Sequence, residues 1–457
     1  MNAREVALNI LNEVYTQQAY ANISLSRHLQ KNQLSDQDRR FITELVYGTV
    51  KAGDTLLWIL KKFVNRPLNK IEPTIINILR LGIYQIVFMD KIPESAACNE
   101  AVNLAKKYSN QGSAKFVNGV LRNLIRQPEK YAMPTGNKAS ELAIREQHPL
   151  WLVKKFIHIF GSEAAIKLCQ FNNTNAPLVL RTNTLKTTRQ ELITELINAG
   201  CEVIPSKLAP EGIICKTHTS LNQLTPLQNG FAQVQDESSM LVAHVVDPKP
   251  NEFIIDTCSA PGGKTTHMAT LMQNKGKIIA CDIYEHKLKL IQDNANRLGI
   301  NIIEPKLLDA REIGNQYKSQ ADKVLVDAPC SGMGVLRRKP DSRWNKTAEI
   351  FEELPPLQLA ILESAALAVK PQGVLVYSTC TIMPQENIEI INQFLAKHPE
   401  FVLEDIRKYL PFKTKSKEKT LQLMPYKDNT DGFFIARMYK NCLLYTSPSP
   451  RDKRQSR

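Results

Sequence analysis

Four short apolar runs alternate with helical stretches between residues 250 and 380: Phe253-Ile254-Ile255, Lys277-Ile278-Ile279-Ala280, Lys323-Val324-Leu325-Val326 and Gly373-Val374-Leu375-Val376-Tyr377. Strands that are apolar at consecutive positions need cover on both faces. Their alternation with helices therefore predicts a parallel sheet between two helical layers. In such sheets ligands sit beyond the carboxyl ends of the strands. The residues there are Asp256-Thr257-Cys258, Cys281-Asp282, Asp327-Ala328-Pro329-Cys330 and Ser378-Thr379-Cys380, so every run ends in an acid, a thiol or both. Asp309, in Leu307-Leu308-Asp309-Ala310, closes one more expected strand.

A chain of 457 residues is too long for one core and predicts two or three domains. Residues 1–130 read as helix after helix, with apolar positions at three- and four-residue spacings around Thr43–Tyr47 and Ile75–Gly82, and with basic residues in excess. Residues 131–140 (YAMPTGNKAS) have linker composition. The stretch 141–235 mixes short helices with strand-like runs at Leu178–Arg181 and Gly230–Val234, predicting a small α+β module. The α/β region follows over 236–440, with a further strand at Phe433–Tyr439. Residues 441–457 (through CLLYTSPSPRDKRQSR) read as a disordered tail of the kind a read-through or fusion scar leaves.

Lys and Arg outnumber Asp and Glu by 59 to 45, a net +14 that favours a polyanionic partner and makes nucleic acid the leading class. Nine scattered cysteines form no C-x-x-C pair and no zinc-type Cys/His spacing, so no metal is expected and the thiols point to a reducing compartment. The opening MNAREVALNILNEVY places Val6, Ile10 and Val14 on one helical face and interrupts them with charge, unlike a signal peptide. No run approaches the roughly 18 apolar residues of a membrane span. A cytoplasmic monomer is the expectation.

The first run leads through DTCSAPGGKT (256–265) into a helical stretch. Glycines between strand and helix let backbone approach a ligand while the helix start offers free N–H groups, which suits a nucleotide-like cofactor. A P-loop would need Gly where Cys258 stands. Asp282, after the second run, falls near the spacing at which an acid bonds ribose hydroxyls, and Asp309 is a candidate for the adenine end. A lone acid is more often a helix cap. Cys330 in DAPCSG and Cys380 in YSTCT fall 50 positions apart yet at the same expected rim, beside Asp327. Either alone reads as a small buried hydrophobe; together they read as chemistry.

These three motifs, in order and spacing, resemble the RNA 5-methylcytosine methyltransferases built on the S-adenosylmethionine-dependent, class I Rossmann-like fold. Phe116-Val117-Asn118-Gly119-Val120-Leu121-Arg122 looks like the signature of NusB-type helical RNA-binding domains, and Phe231–Ser239 like the lead-in to the catalytic domain. The resemblance runs to about residue 440 and is closest to the bacterial branch acting on small-subunit rRNA. Ser259 departs from it, standing where the family often has Ala.

The resemblance implies S-adenosylmethionine as cofactor, held by Cys258, Ser259, Ala260, Pro261, Gly262, Gly263, Lys264, Asp282, Asp309 and Asp327. It implies catalysis by Cys380, Cys330, Asp327 and Lys264. Cytosine C5 is too weak a nucleophile to take a methyl group unaided, and a thiolate adding to C6 activates it. The family gives addition to the Thr-Cys thiol, Cys380, and product release to the Pro-Cys thiol, Cys330. DNA cytosine methyltransferases use the Pro-Cys thiol, so the reverse assignment stays open. Asp327 is expected to face the base's N3 and amino group, and Lys264 to orient base or thiolate. Arg337, Arg338, Lys339 and Arg343 are candidates to grip phosphates. The same chemistry on tRNA and a non-catalytic RNA-binding factor are the rival readings.

Overall fold

The computed structural model describes residues 2–32, 34–217 and 224–442, so the expected tail falls outside the described residues from 443 onward. The chain forms two compact units, the described parts of 1–176 with 335–348 and of 177–334 with 349–457.

The first unit is helical. It comprises α1 (Ala3–Thr16), α2 (Ala21–Lys31), α3 (Asp36–Lys61), α4 (Pro73–Phe88), α5 (Glu94–Tyr108) and α6 (Gln111–Arg126), then α7 (Ala139–Arg145), α8 (Leu150–Phe160) and α9 (Ser162–Asn172). Val6, Ile10 and Val14 are buried together with Leu45, Ile75, Leu79 and Leu121 in one core, as the helical periodicity requires. Asn2, Ser35 and Asn110 accept first-turn N–H groups of α1, α3 and α6, satisfying helix starts that nothing else would pair. The segment 335–348 belongs to this unit through Arg343. Its guanidinium is wholly buried and donates to Gln147 O (2.9 Å), Asn173 Oδ1 (2.9 Å) and Asn172 O (3.1 Å). Arg343 therefore grips two backbone carbonyls and the part-buried Asn173 amide, correcting its reading as a phosphate ligand.

The second unit opens with an antiparallel sheet of β1 (Leu178–Thr182), β2 (Glu202–Pro205), β3 (Gly212–Thr217) and β4 (Ala232–Val234), in the order β2-β3-β1-β4. It carries α10 (Arg189–Asn198) and the short α11 (Thr225–Gln228), and Leu180, Leu192, Leu196 and Ile213 close its core. After α12 (Glu237–Val246) come β5 (Phe253–Asp256), α13 (Gly263–Leu271), β6 (Lys277–Asp282), α14 (Glu285–Leu298), β7 (Ile303–Leu307), α15 (Ile313–Gln316), β8 (Ala321–Asp327), α16 (Ile350–Ala368) and β9 (Val369–Thr379). The remainder is α17 (Ile388–Lys397), β10 (Phe401–Leu403), β11 (Leu421–Leu423), α18 (Pro425–Asp428) and β12 (Phe433–Lys440).

The large sheet runs β10-β12-β9-β8-β5-β6-β7, with β11 pairing β12. Successive strand residues feed opposite cores. Ile254, Ile278, Leu325 and Val376 pack towards α12, α13 and α14, whereas Ile255, Ile279, Val324, Val326 and Tyr377 pack towards α16 and α17. Both faces are covered, as the continuous apolar runs demand. β5 to β9 are parallel, but β12 is antiparallel to β9, so the sheet is mixed where the repeat of apolar runs predicted a parallel one. β10 and β11 also pair with β12 in the antiparallel sense, so all the antiparallel pairing of this sheet is made by β12. Among the described residues no helix is long and apolar enough to cross a membrane.

Candidate active site at the carboxyl edge of the sheet

The turn after β5 carries the glycine motif. Gly262 adopts φ +96°, a left-handed value that favours glycine, and starts α13 without a side-chain cap. A Cβ at Gly263 would meet only Gln235, at 3.9 Å, so the backbone there faces open ground. The Ser259 N–H and hydroxyl both donate to the Cys281 carbonyl (2.9 and 2.8 Å), fastening the turn to the end of β6. The hydroxyl that departs from the family pattern thus has a partner. Asn294 donates to Pro261 O (2.9 Å), and Thr265 in α13 donates to the buried Asp256 carboxyl (2.6 Å). Cys258 lies half-buried in this turn, its pKa pushed well up by burial.

Asp282 closes β6 with Oδ1 accepting from the Tyr284 N–H (3.0 Å) and 3.7 Å from Lys287 Nζ. Asp309 lies just past β7, where it caps a short 3-10 turn and receives both Nε and Nη2 of Arg311.

β8 and β9 bring the other motifs together. Lys264 Nζ lies 2.7 Å from Asp327 Oδ2, and Ser378 Oγ donates to Asp327 Oδ1 (2.8 Å). Burial alone would push the Lys264 ammonium down. The Asp327 carboxylate, with smaller contributions from Cys380 and Asp256, instead holds its pKa above the ordinary lysine value. Lys264 also stands 5.2 Å from the Phe433 ring centre. The Cys330 and Cys380 sulfurs are 3.4 Å apart, and neither thiol is in a disulfide. The hydrogen bond with Cys380, and then burial, push the Cys330 thiol well above its usual pKa. The raised pKa keeps Cys330 in its protonated form, with either sulfur able to serve as donor in the pair. A nucleophilic sulfur supported by a neighbouring thiol and a nearby ammonium is what this arrangement offers chemically.

Motif reading missed Glu386, which is wholly buried and ties the two thiol loops together. It accepts from the Ser331 N–H (2.7 Å) and hydroxyl, from Thr381 Oγ1 (3.2 Å) and from Gln358 Nε2 (3.1 Å). Ser331 follows Cys330 and Thr381 follows Cys380, so one carboxyl positions both sulfurs. Arg181 was missed too. From β1 it donates to Gly263 O (2.5 Å), Thr266 Oγ1 (3.0 Å) and Gln235, with burial lowering its pKa to about 9. The only signals for either were a Glu six residues past Cys380 and an Arg in an apolar strand. Arg337, Arg338 and Lys339 belong to the first unit, where Arg337 stacks 4.8 Å from the Phe171 ring centre.

The sequence is similar to three described families. Residues 243–439 match the 16S rRNA methyltransferase RsmB/F model, residues 1–126 the NusB family, and residues 148–222 the RsmF/B-like ferredoxin-like domain. Among curated proteins, the probable ribosomal RNA small subunit methyltransferase B of Bacillus subtilis is 42% identical over 96% of this chain and 99% of its own length. Among solved structures, that of PH0851 matches with TM-score 0.81 and 30% identity over 95% of this chain and 97% of that one. NSun6 from Pyrococcus horikoshii, solved with SFG, matches with TM-score 0.58 and 26% identity over 64% of this chain and 98% of that one.

Proposed function

This chain belongs to the RsmB/F family of 16S rRNA methyltransferases, and from that premise we propose that it methylates C5 of a cytosine in small-subunit rRNA through a covalent adduct on Cys380. S-adenosylmethionine is the methyl donor, and RNA methylation is the activity that the family carries. The residues present suit that donor. The uncapped start of α13 and the open ground at Gly263 support this reading, in which Asp282, at the end of β6, accepts from the ribose hydroxyls and Asp309, just past β7, serves the adenine end. When bound, it supplies a methyl group on positively charged sulfur.

The single observation that carries the reading is the 3.4 Å pair of sulfurs beside the Lys264–Asp327 ion pair. Cys380 adds to C6 of the flipped or unpaired cytosine, which makes C5 electron-rich enough to be methylated. Lys264 favours the Cys380 thiolate electrostatically. Asp327, oriented by Lys264 and Ser378, faces the N3 and amino edge and balances the charge that addition creates there. Methylation leaves C5 holding both its proton and the new methyl group. A base takes that proton, its electron pair reforms the C5–C6 double bond and the Cys380 sulfur leaves C6 as thiolate. The Cys330 thiol, 3.4 Å away, hydrogen-bonds the departing sulfur. The basic helical unit contributes the RNA grip. Its Arg66 lies over Phe116 at 4.2 Å and its Lys62 over Trp58 at 4.1 Å, cation and ring pairs suited to bases and phosphates.

Tritium transfer from labelled donor into small-subunit rRNA tests the assignment. Cys380→Ala is expected to fall to background, and Cys330→Ala to accumulate a protein–RNA adduct that survives a denaturing gel. Normal methylation by Cys380→Ala, or an adduct trapped in that variant instead, reverses the thiol roles.

A further inference from the structure

We propose that Glu211, His244 and His267 form a binding site for a divalent transition-metal ion of the zinc class, built from none of the residues assigned to methyl transfer. Glu211 stands immediately before β3, His244 lies in α12 and His267 in α13. Each offers one ligand atom, and the three atoms lie within 4.8 Å of one another. Glu211 Oε1 is 3.1 Å from His244 Nε2 and 2.8 Å from His267 Nε2. A tetrahedral ion bound at about 2.0–2.1 Å keeps its ligand atoms roughly 3.3 Å apart, so these pairs need open by only a few tenths of an ångström. Two imidazoles and one carboxylate are a donor set that borderline ions take readily.

The second observation is His267 itself. It is 1% exposed, and neither ring nitrogen makes a hydrogen bond; Nε2 has only the 2.8 Å ion-pair contact with Glu211 Oε1. An imidazole sealed from water without a hydrogen bond is costly, and a metal ion would engage the Nε2 lone pair. His244 keeps 18% of its side chain exposed, which leaves a route for the ion and a position for a water ligand. The guanidinium of Arg181 is a cation near this cluster, and its Nη1 and Nη2 groups are committed to Gly263 O, Thr266 and Gln235. The Glu211 carboxylate offsets its charge. A bound ion would bolt the small antiparallel sheet to α12 and to α13, the helix whose first turn carries Gly263 and Lys264. Spacing rules looked for paired cysteines and could not assemble ligands from positions 211, 244 and 267.

The test titrates the metal-stripped full chain with Co2+ and then with Zn2+. One molar equivalent of Co2+ is expected, with visible bands of a four- or five-coordinate ion, no thiolate charge-transfer band in the near ultraviolet, and displacement by Zn2+. The missing thiolate band matters because none of the nine cysteines is in a disulfide. His244→Ala at the partly exposed ligand and Glu211→Gln are each expected to weaken Co2+ binding at least tenfold. No saturable binding by the unmodified chain, a thiolate band, or unchanged affinity in both variants would overturn the proposal.

Discussion

Asp256 ends β5 sealed from water, and burial raises its carboxyl from the ordinary 3.8 to about 7 against the lowering effect of the Thr265 hydrogen bond. A carboxyl that keeps its proton longer when folded makes the folded state bind more protons than the unfolded one between those values. Stability from this group is therefore greatest below about pH 4 and declines as the pH rises to 7. Asp256→Asn, which keeps an acceptor for Thr265, is expected to flatten that decline in urea unfolding followed across pH; an unchanged slope contradicts the burial argument. At this scale the sequence was legible where residue type and chemistry coincide. The motifs led to Cys330, Cys380, Asp327 and Lys264 meeting at one edge of the sheet, and the two sulfurs and the Lys264–Asp327 ion pair do lie at that edge; their catalytic roles belong to the proposal. Arg343 was not legible, since a positive charge in the sequence does not report whether its partners are phosphates or buried carbonyls.

Elements add what single residues cannot. The loops after β8 and β9 each end in a thiol, and Glu386, between β9 and α17, holds both loops through Ser331, Thr381 and Gln358. Replacing it with Gln puts an amide donor against the Ser331 N–H, leaving buried donors unpaired at a cost of about 1–3 kcal/mol. A displacement of the sulfurs by about 1 Å is enough to cost about a hundredfold in rate. Glu386→Gln should thus lower kcat far more than the Kd for the methyl donor, measured by single-turnover methylation and calorimetry. Equal losses in both would mean a general loosening of the fold. The carboxyl-edge position of every motif followed from strand periodicity alone. The antiparallel β12 did not, because an apolar pattern records which faces of a strand are buried and carries no information on its direction.

For the whole molecule the sequence gives a net charge of +14 and a helical, basic front end, and the helices formed where apolar spacing put them. What linear reading could not show is that the first unit is discontinuous, borrowing 335–348 from far down the chain. A fragment ending at residue 176 lacks Arg343 and exposes the acceptors at Gln147, Asn172 and Asn173. It should unfold at a lower urea midpoint than the same fragment supplied with a 335–348 peptide, and an Arg343→Met peptide should restore less. Identical midpoints in all three would mean that the segment contributes nothing to the unit.

That borrowed segment also sets an order of events during synthesis. The first unit cannot complete itself when its ninth helix leaves the ribosome, because residues 177–334 must be translated before 335–348 arrive. At roughly 5–20 residues per second this is a delay on the order of ten to thirty seconds. For that interval the helices wait with an arginine-shaped vacancy, and their nascent form is exposed to whatever in the cell recognises unfinished protein.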